Sequence, residues 1–295
     1  MASYHDGDLK KLLERHGFHF SKALGQNFLT DATIPERIAD GAGVDASFGV
    51  LEVGPGVGAL TNALCRRAAR VVAVELDKRL LPVLNETLAP CPNVTVVSGD
   101  IMKLDIKTTV LNNMPNLRYA VCANLPYNIT TPALTALFEA GIFETITVMV
   151  QKEVAQRLCA KPATPEYGAF TVFTQFHAEP KILFDVPPGA FMPQPKVTSA
   201  VVRLQMRPSP PDGIEDEGLF FRVVRASFAQ RRKMLVNSLG SAFGSTLSKE
   251  ILTRAVTDCG FDEKIRGETL DIAGFHAVSR AVGALLFASR TGEAR

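Results

Sequence analysis

Cysteine is sparse in this chain, and no two cysteines stand in a CxxC pair. The five, Cys65, Cys91, Cys122, Cys159 and Cys259, are odd in number and scattered over 295 residues, which argues against both a disulfide framework and a zinc site. No metal is expected. Missing too is any uninterrupted apolar run of roughly 18 to 20 residues, the length a membrane span requires, and the opening MASYHDGDLKKLLERHG lacks the apolar centre of a signal peptide. A cytoplasmic protein with no membrane partner is therefore expected. Charge is nearly balanced, 32 Lys and Arg against 30 Asp and Glu leaving +2, so the total does not announce a polyanionic partner. Acids are nevertheless wholly absent from Gly218 to Ser248, and Arg222, Arg225, Arg231, Arg232 and Lys233 crowd the first half of that stretch. A single charge run is usually a solvated face. The missing acids favour a phosphate-binding patch, whose affinity would fall as salt rises.

What is present reads as two domains, with no internal repeat. Short apolar runs rich in β-branched residues recur at Gly49–Val53, Val71–Val74, Val94–Val97, Tyr119–Ala123 and Ile146–Val150, separated by helical stretches. Runs of this kind suit parallel strands buried on both faces, joined by right-handed crossovers. Lys181–Val186 and Ser199–Leu204 are expected to add an antiparallel pair to the same sheet. The Pro-rich, acidic segment 207–218 then breaks both periodicities. Beyond it only helical spacing is found, at Leu219–Gly240, Lys249–Cys259 and Ile272–Ala288. The expected division is a catalytic domain 1–206, with an N-terminal extension 1–20, and a helical domain 207–295.

The run Leu51-Glu52-Val53-Gly54-Pro55-Gly56-Val57-Gly58 ends the first strand in a glycine-rich turn and opens a helix at Ala59. Such a turn lets the backbone approach a ligand and offers it helix N–H groups. Gly54, Gly56 and Ala59 equally satisfy the dinucleotide pattern GxGxx[GA], so the turn alone does not choose the ligand. Glu75 ends the next strand and is placed to accept from two ribose hydroxyls. Gly99-Asp100-Ile101 closes the third strand at the same carboxyl edge, where Asp100 can receive the amino group of a bound adenine.

After the fourth strand comes Asn124-Leu125-Pro126-Tyr127-Asn128-Ile129. The exocyclic amine of adenine is a poor nucleophile, because its lone pair is delocalised into the ring. Alkylating it requires acceptors that hold both N–H bonds. The Asn124 amide oxygen and the Leu125 carbonyl can do so, with Pro126 fixing the turn and removing a competing donor. Tyr127 is expected to stack on the base, and Phe191, on the proline-stiffened loop Phe191-Met192-Pro193-Gln194-Pro195-Lys196-Val197-Thr198-Ser199, to cover its other face. With a sulfonium methyl donor, the remaining work is positioning, and no nucleophilic side chain is needed.

These motifs together resemble the ribosomal RNA adenine N6,N6-dimethyltransferase family, most closely its bacterial small-subunit branch, nearly from end to end. The resemblance also draws on Lys22-Ala23-Leu24-Gly25-Gln26-Asn27-Phe28-Leu29 and on Phe228-Ala229-Gln230-Arg231-Arg232-Lys233 followed by Leu235 and Asn237-Ser238-Leu239. It implies an α/β fold, a Rossmann-like S-adenosylmethionine-dependent methyltransferase sheet with a small all-helical C-terminal domain. It implies dimethylation of two adjacent adenines in the 3′-terminal hairpin loop of 16S rRNA, within a pre-30S particle, with release of S-adenosylhomocysteine; a monomer with no obligate protein partner is expected. Cofactor contacts are implied for Asn27, Leu29, Gly54, Gly56, Gly58, Glu75, Asp100, Ile101 and Asn124. The rival readings are the relative that dimethylates large-subunit rRNA, an adenine-N6 DNA methyltransferase, and a ribosome-assembly checkpoint in which binding outweighs catalysis. The helix from Leu219 to Leu239 is expected to carry the basic patch, and Lys10, Lys11 and Arg15 to offer further contacts to RNA.

Overall fold

The computed structural model describes residues 6–21 and 25–291, so Lys22, Ala23 and Leu24 of the N-terminal motif lie outside it. Its strands are β1 (Phe28–Leu29), β2 (Phe48–Val53), β3 (Arg70–Glu75), β4 (Val94–Ser98), β5 (Arg118–Asn124), β6 (Thr145–Gln151), β7 (Ala178–Val186), β8 (Phe191–Met192) and β9 (Ser199–Met206). Seven form one sheet in the order β4-β3-β2-β5-β6-β9-β7, while β1 and β8 make a separate antiparallel pair. From β4 to β6 the pairing is parallel, and β9 runs antiparallel to β6. Every strand expected from an apolar run is present. The local reason is burial on both faces: β2 and β6 carry hardly a position open to solvent, which selects Val, Ile, Leu and Ala at successive residues rather than at alternate ones.

The chain winds outward from β2 through β3 to β4, then returns to the other side of β2 as β5. This reversal opens a crevice at the carboxyl ends of β2 and β5, where open α/β sheets bind ligands. One side of the sheet is covered by helices Thr33–Ala42 and Ala59–Cys65, which bury Ile34, Ile38, Leu60 and Leu64 against Val50, Val71 and Ala120. Each such fully buried Leu or Ile contributes about 1.5–3 kcal/mol. On the same side, toward β4, helix Asp6–Arg15 sends Leu9, Leu12 and Leu13 into a cluster with Phe18, Phe28, Leu80, Val83 and Leu84, against Val94 and Val96. Leu9, Leu12, Leu13 and Phe18 of the N-terminal extension are thus part of the core. Arg15 and the neighbouring His16 converge on Glu86, at 2.5 and 2.7 Å, and Lys10 lies 3.8 Å from Glu14. Arg15 thus braces the helix against Glu86 while its side chain stays exposed.

The chain separates into two compact units, Met1–Ala155 with Pro180–Met206, and Gln156–Glu179 with Arg207–Arg295. Residues 156–179 therefore leave the unit that a single boundary at 207 assigned them to. The reason is apolar: Tyr167, Val172 and Phe176 are buried in the same core as Phe220, Phe243 and Phe275, and the Tyr167 hydroxyl donates to the Leu270 carbonyl at 2.8 Å. Helix Ile272–Thr291 is long and apolar enough, by length and composition, to cross a membrane. Its Phe275, Val278 and Val282 instead form the buried stripe of a core helix.

The single helix expected from Leu219 to Leu239 is two. Glu217–Ala229 ends where Gln230 leaves helical geometry (φ −132°, ψ 68°), and Leu235–Phe243 begins afresh. Tertiary bonding ends the helix: the Lys233 N–H turns back to the Gln230 carbonyl at 2.8 Å, and the Leu235 N–H goes to Ile265 at 2.7 Å. Arg231, Arg232 and Lys233 accordingly sit on an exposed turn, not on a helical face.

Candidate functional site

The crevice is lined by the loop after β2, the ends of β3 and β5, the loop after β4, and the segment Gly25–Leu29. Gly54 and Gly56 have φ of 68° and 60°, the left-handed region that glycine enters without strain. A Cβ on Gly54 would meet nothing within 4 Å, so that backbone faces open space; on Gly56 it would come within 3.0 Å of the Phe28 ring. Gly58 differs. It is not among the lining residues, and a side chain there would lie 2.9 Å from Leu88 and 3.0 Å from Thr87. Its expected cofactor contact is corrected to a packing role: it lets helix Ala59–Cys65 start close against Leu88.

Glu75 projects from the end of β3 and is only 6% exposed. Its carboxylate accepts from the Asp77 N–H at 2.7 Å and the Gly56 N–H at 3.3 Å. Burial raises its pKa above the usual carboxylate value, and the backbone donors oppose that. The group is held rigidly where a ribose diol would meet it. Gln26 donates to Asp77 at 2.9 Å, tying the segment before β1 to the end of β3, and Arg79 beside Asp77 holds that carboxyl below its ordinary range. Asp100 and Ile101 line the same crevice, and Asp100 accepts from the Met102 N–H at 3.0 Å, which fixes the turn.

At the end of β5, the Asn124 amide nitrogen donates to the backbone carbonyl of Asn27 at 3.1 Å. A carbonyl only accepts, so this bond assigns Nδ2 and leaves Oδ1 free to accept from a ligand. Asn27 in turn donates to the Gly25 carbonyl at 3.2 Å. The Leu125 N–H is occupied by Met149 at 3.2 Å, and Pro126 offers no N–H at all. Among the described residues no donor is bonded to the Leu125 carbonyl. Tyr127 lines the opening, its hydroxyl 2.7 Å from that of Ser199 at the start of β9; burial raises its pKa, so the ring is a neutral phenol.

Phe191 does not join this group. Its ring is 2% exposed and sits in the apolar cluster with Leu29, Ile34, Val186 and Val201, on a strand paired to Leu29. The expected stacking role of Phe191 on the base is therefore corrected: the aromatic is core, and the FMPQPKVTS loop supplies Ser199 instead. Leu29 itself reaches both the cluster and the crevice.

Two residues escaped the sequence reading. Ser199 carried only a loop-end signal. Glu52 was visible inside the LEVGPG run, but an acid at the end of an apolar strand gives no sign of its partners. It is 1% exposed, lines the crevice and leaves Oε2 with no hydrogen bond. Burial pushes its pKa up to about 8. These groups fit a nucleoside carrying a cationic amino-acid tail: acids for a ribose diol and an ammonium, an open glycine backbone beside them, and acceptors at the mouth for an amine. Among the described residues no three His, Cys, Asp or Glu side chains gather in a metal-binding cluster.

In the second unit, Arg222 and Arg225 are exposed on helix Glu217–Ala229. The Arg222 guanidinium caps the Ala242 carbonyl at 2.9 Å and lies 4.4 Å from the Phe243 ring centroid. Arg231 pairs with Glu268 at 2.6 Å and also donates to the Thr164 carbonyl at 3.1 Å. Among the described residues Arg225, Arg232 and Lys233 have no acidic partner.

Comparison with known proteins bears on the whole chain. The model of the family described as ribosomal RNA adenine dimethylase matches residues 17–275. A protein of Geobacillus kaustophilus named ribosomal RNA small subunit methyltransferase A is 47% identical over 282 residues, covering 95% of this chain and 96% of the relative. Among solved structures, a dimethyladenosine transferase from Plasmodium falciparum is similar in fold, with a TM-score of 0.76 at 22% identity over 88% of this chain and 98% of that one. The 23S rRNA methyltransferase ErmE is similar at a TM-score of 0.68 and 28% identity, over 87% of this chain and 100% of that one.

Proposed function

Since the chain belongs to the ribosomal RNA adenine dimethylase family, we propose that its crevice holds an adenine by Asn124, Leu125 and Tyr127 and dimethylates two adjacent adenines of the 3′-terminal hairpin of small-subunit rRNA. The protein is an S-adenosylmethionine-dependent rRNA adenine dimethyltransferase acting on small-subunit rRNA. The observation that carries the proposed chemistry is the Asn124–Asn27 bond, which commits the amide nitrogen and leaves the amide oxygen to accept.

When bound, S-adenosylmethionine supplies an electrophilic methyl group on a sulfonium. Glu75 and Asp100 would hold its ribose and adenine, Asn27 and Leu29 would close over it from the N-terminal side, and the Gly54–Gly56 backbone would admit its amino-acid tail. Asn124 Oδ1 and the Leu125 carbonyl accept the two N–H bonds of the target amine and draw its nitrogen toward tetrahedral geometry. Tyr127 stacks on the base, its ring fixed by Ser199. No side chain need take a proton beforehand, because the nitrogen becomes acidic once it is alkylated. The work of the site is positioning and removal of water.

The second unit is proposed to grip rRNA phosphates through Arg222, Arg225, Arg231, Arg232 and Lys233, in a pre-30S particle in the cytoplasm, with the protein as a monomer. Arg232 and Lys233 are the sharper test, since neither has an acid partner among the described residues and Arg231 is braced by Glu268. The double variant Arg232→Glu, Lys233→Glu is expected to bind undermethylated small-subunit particles more weakly and to lower the slope of log affinity against log salt by about 2. A binding curve equal to wild type at every salt concentration removes the patch from the reading. The activity itself is tested by incubating the protein with labelled cofactor and small subunits from a strain lacking this gene, then digesting the rRNA. Dimethyladenosine at two neighbouring positions is the expected product; no label in the small-subunit rRNA, or label on a base other than adenine, would overturn it.

A further inference from the structure

Glu52 is a crevice carboxyl buried with one oxygen, Oε2, left unbonded. It sits near the end of β2, level with Ala73 of β3. The groups facing it are few. Helix Ala59–Cys65 contributes the Thr61 hydroxyl and the Cys65 thiol, β3 contributes Glu75, and β5 contributes Cys122. Neither thiol titrates near neutrality, Cys65 being pushed up to about 12 and Cys122 well above its ordinary value, both by burial. No cation is among these neighbours, and Glu75 is another acid. A buried carboxyl with no cation beside it keeps its proton, because the charged form cannot recover its lost hydration. Yet Glu52 lines the crevice that takes the cofactor, and that cofactor brings two positive charges, an ammonium and a sulfonium, of which the demethylated product keeps only the ammonium.

We propose that Glu52 is a charge sensor for the cofactor: it is protonated in the empty crevice, gives its proton to solvent when the doubly cationic methyl donor enters, and does so to a smaller extent for the singly cationic product. The proposal rests on the reading of the crevice as the cofactor site and adds a residue, and a means of telling donor from product, to the contacts implied by the family motifs. Its consequence for affinity has a definite sign. Because binding releases a proton, affinity for the donor rises with pH, approaching tenfold per pH unit below about 8, the value at which the empty-site carboxyl titrates. Glu75 is raised in the same direction, but a ribose is common to donor and product, so its contribution cancels when the two ligands are compared.

The test is calorimetric titration of the full chain with S-adenosylmethionine and with S-adenosylhomocysteine, each in phosphate and in Tris buffer, for wild type and Glu52→Gln. In wild type the proton count released near pH 7 should be larger for the donor than for the product. Glu52→Gln should abolish that excess over the ligands' own titration and reduce the rise of donor affinity with pH, while product affinity changes less than donor affinity. A second readout needs no ligand. A carboxyl held protonated in the fold contributes stability below 4.5 that is lost as pH rises through about 8, so the melting temperature of Glu52→Gln should decline less between those limits than that of wild type. Equal proton release for both ligands in wild type, or an excess that survives in Glu52→Gln, overturns the sensor while leaving the cofactor site intact. Failure of wild type to bind either ligand overturns the cofactor site, and this inference with it.

Discussion

Asn124→Ala is expected to lower methyl transfer by roughly three orders of magnitude or more while changing cofactor affinity by less than about tenfold. Two losses compound. The first is the acceptor Oδ1, which holds one N–H of the adenine amine only while that amine is being pyramidalised; preorganised polar groups of this kind are commonly worth about 10²–10³ in turnover when removed singly. The second is geometric. The Asn124 side chain is bonded to the Asn27 carbonyl across 97 residues of sequence, so its loss also releases the segment that precedes β1 from the end of β5. A displacement of about 1 Å at the reacting atoms costs a further factor of about 10². Cofactor affinity suffers less, because Glu75, Asp100 and the glycine turn are untouched, and one neutral hydrogen bond contributes only about 0.5–1.5 kcal/mol net. The measurement is single-turnover transfer of labelled methyl to small-subunit particles, with cofactor affinity measured separately. Turnover within tenfold of wild type would refute the assigned chemistry. Asn124→Asp is the informative companion: it keeps the acceptor but loses the donor to Asn27, placing a carboxylate against that carbonyl, so it should fall between wild type and Ala in transfer.

The second large effect is at Glu75. Glu75→Ala should weaken cofactor binding by about 10² or more, through loss of charge-assisted hydrogen bonds worth about 1.5–3 kcal/mol each. It also leaves the Asp77 and Gly56 N–H groups, now bonded at 2.7 and 3.3 Å, without acceptors in a buried setting. Each such orphan costs about 1–3 kcal/mol. The mutation recovers the desolvation cost that holds the Glu75 pKa high, so the melting temperature should fall only modestly while affinity collapses. Glu75→Gln, which keeps one acceptor oxygen, should restore most of the stability and little of the affinity. Near-normal cofactor affinity in Glu75→Ala would mean that the ribose lies elsewhere.

Much of this site was legible before any coordinates, because its elements are local in origin. A strand buried on both faces needs an unbroken apolar run; a sharp exit from it into a helix needs glycine at positive φ, as Gly54 and Gly56 have; and the residue ending each parallel strand falls at the ligand-binding edge. Glu75, Asp100 and Asn124 are therefore named by position alone, and the order strand, glycine turn, helix, acid fixes the fold class. Local sequence does not specify a residue's role where that role depends on a partner far along the chain. Phe191 has the composition of a stacking aromatic, and only its pairing with Leu29 sends it into the core. Gly58 belongs to the same glycine run as its neighbours, yet Leu88 and Thr87 decide that its missing side chain serves packing.

The same division holds for charge. The absence of acids between Gly218 and Ser248 is a property of the sequence, but Glu268 arrives from elsewhere to pair with Arg231, and the break at Gln230 lifts Arg232 and Lys233 off the helix. By itself the sequence determined the sheet, the edge at which the crevice opens and the place of the NLPY turn along that edge, since backbone propensity and burial period act between near neighbours. Only the tertiary structure decided which atom of the Asn124 amide is committed, which ring is free to stack, which cations remain unpaired and that Glu52 Oε2 is left without a hydrogen bond, because hydrogen bonding and desolvation are set by what the folded chain brings alongside.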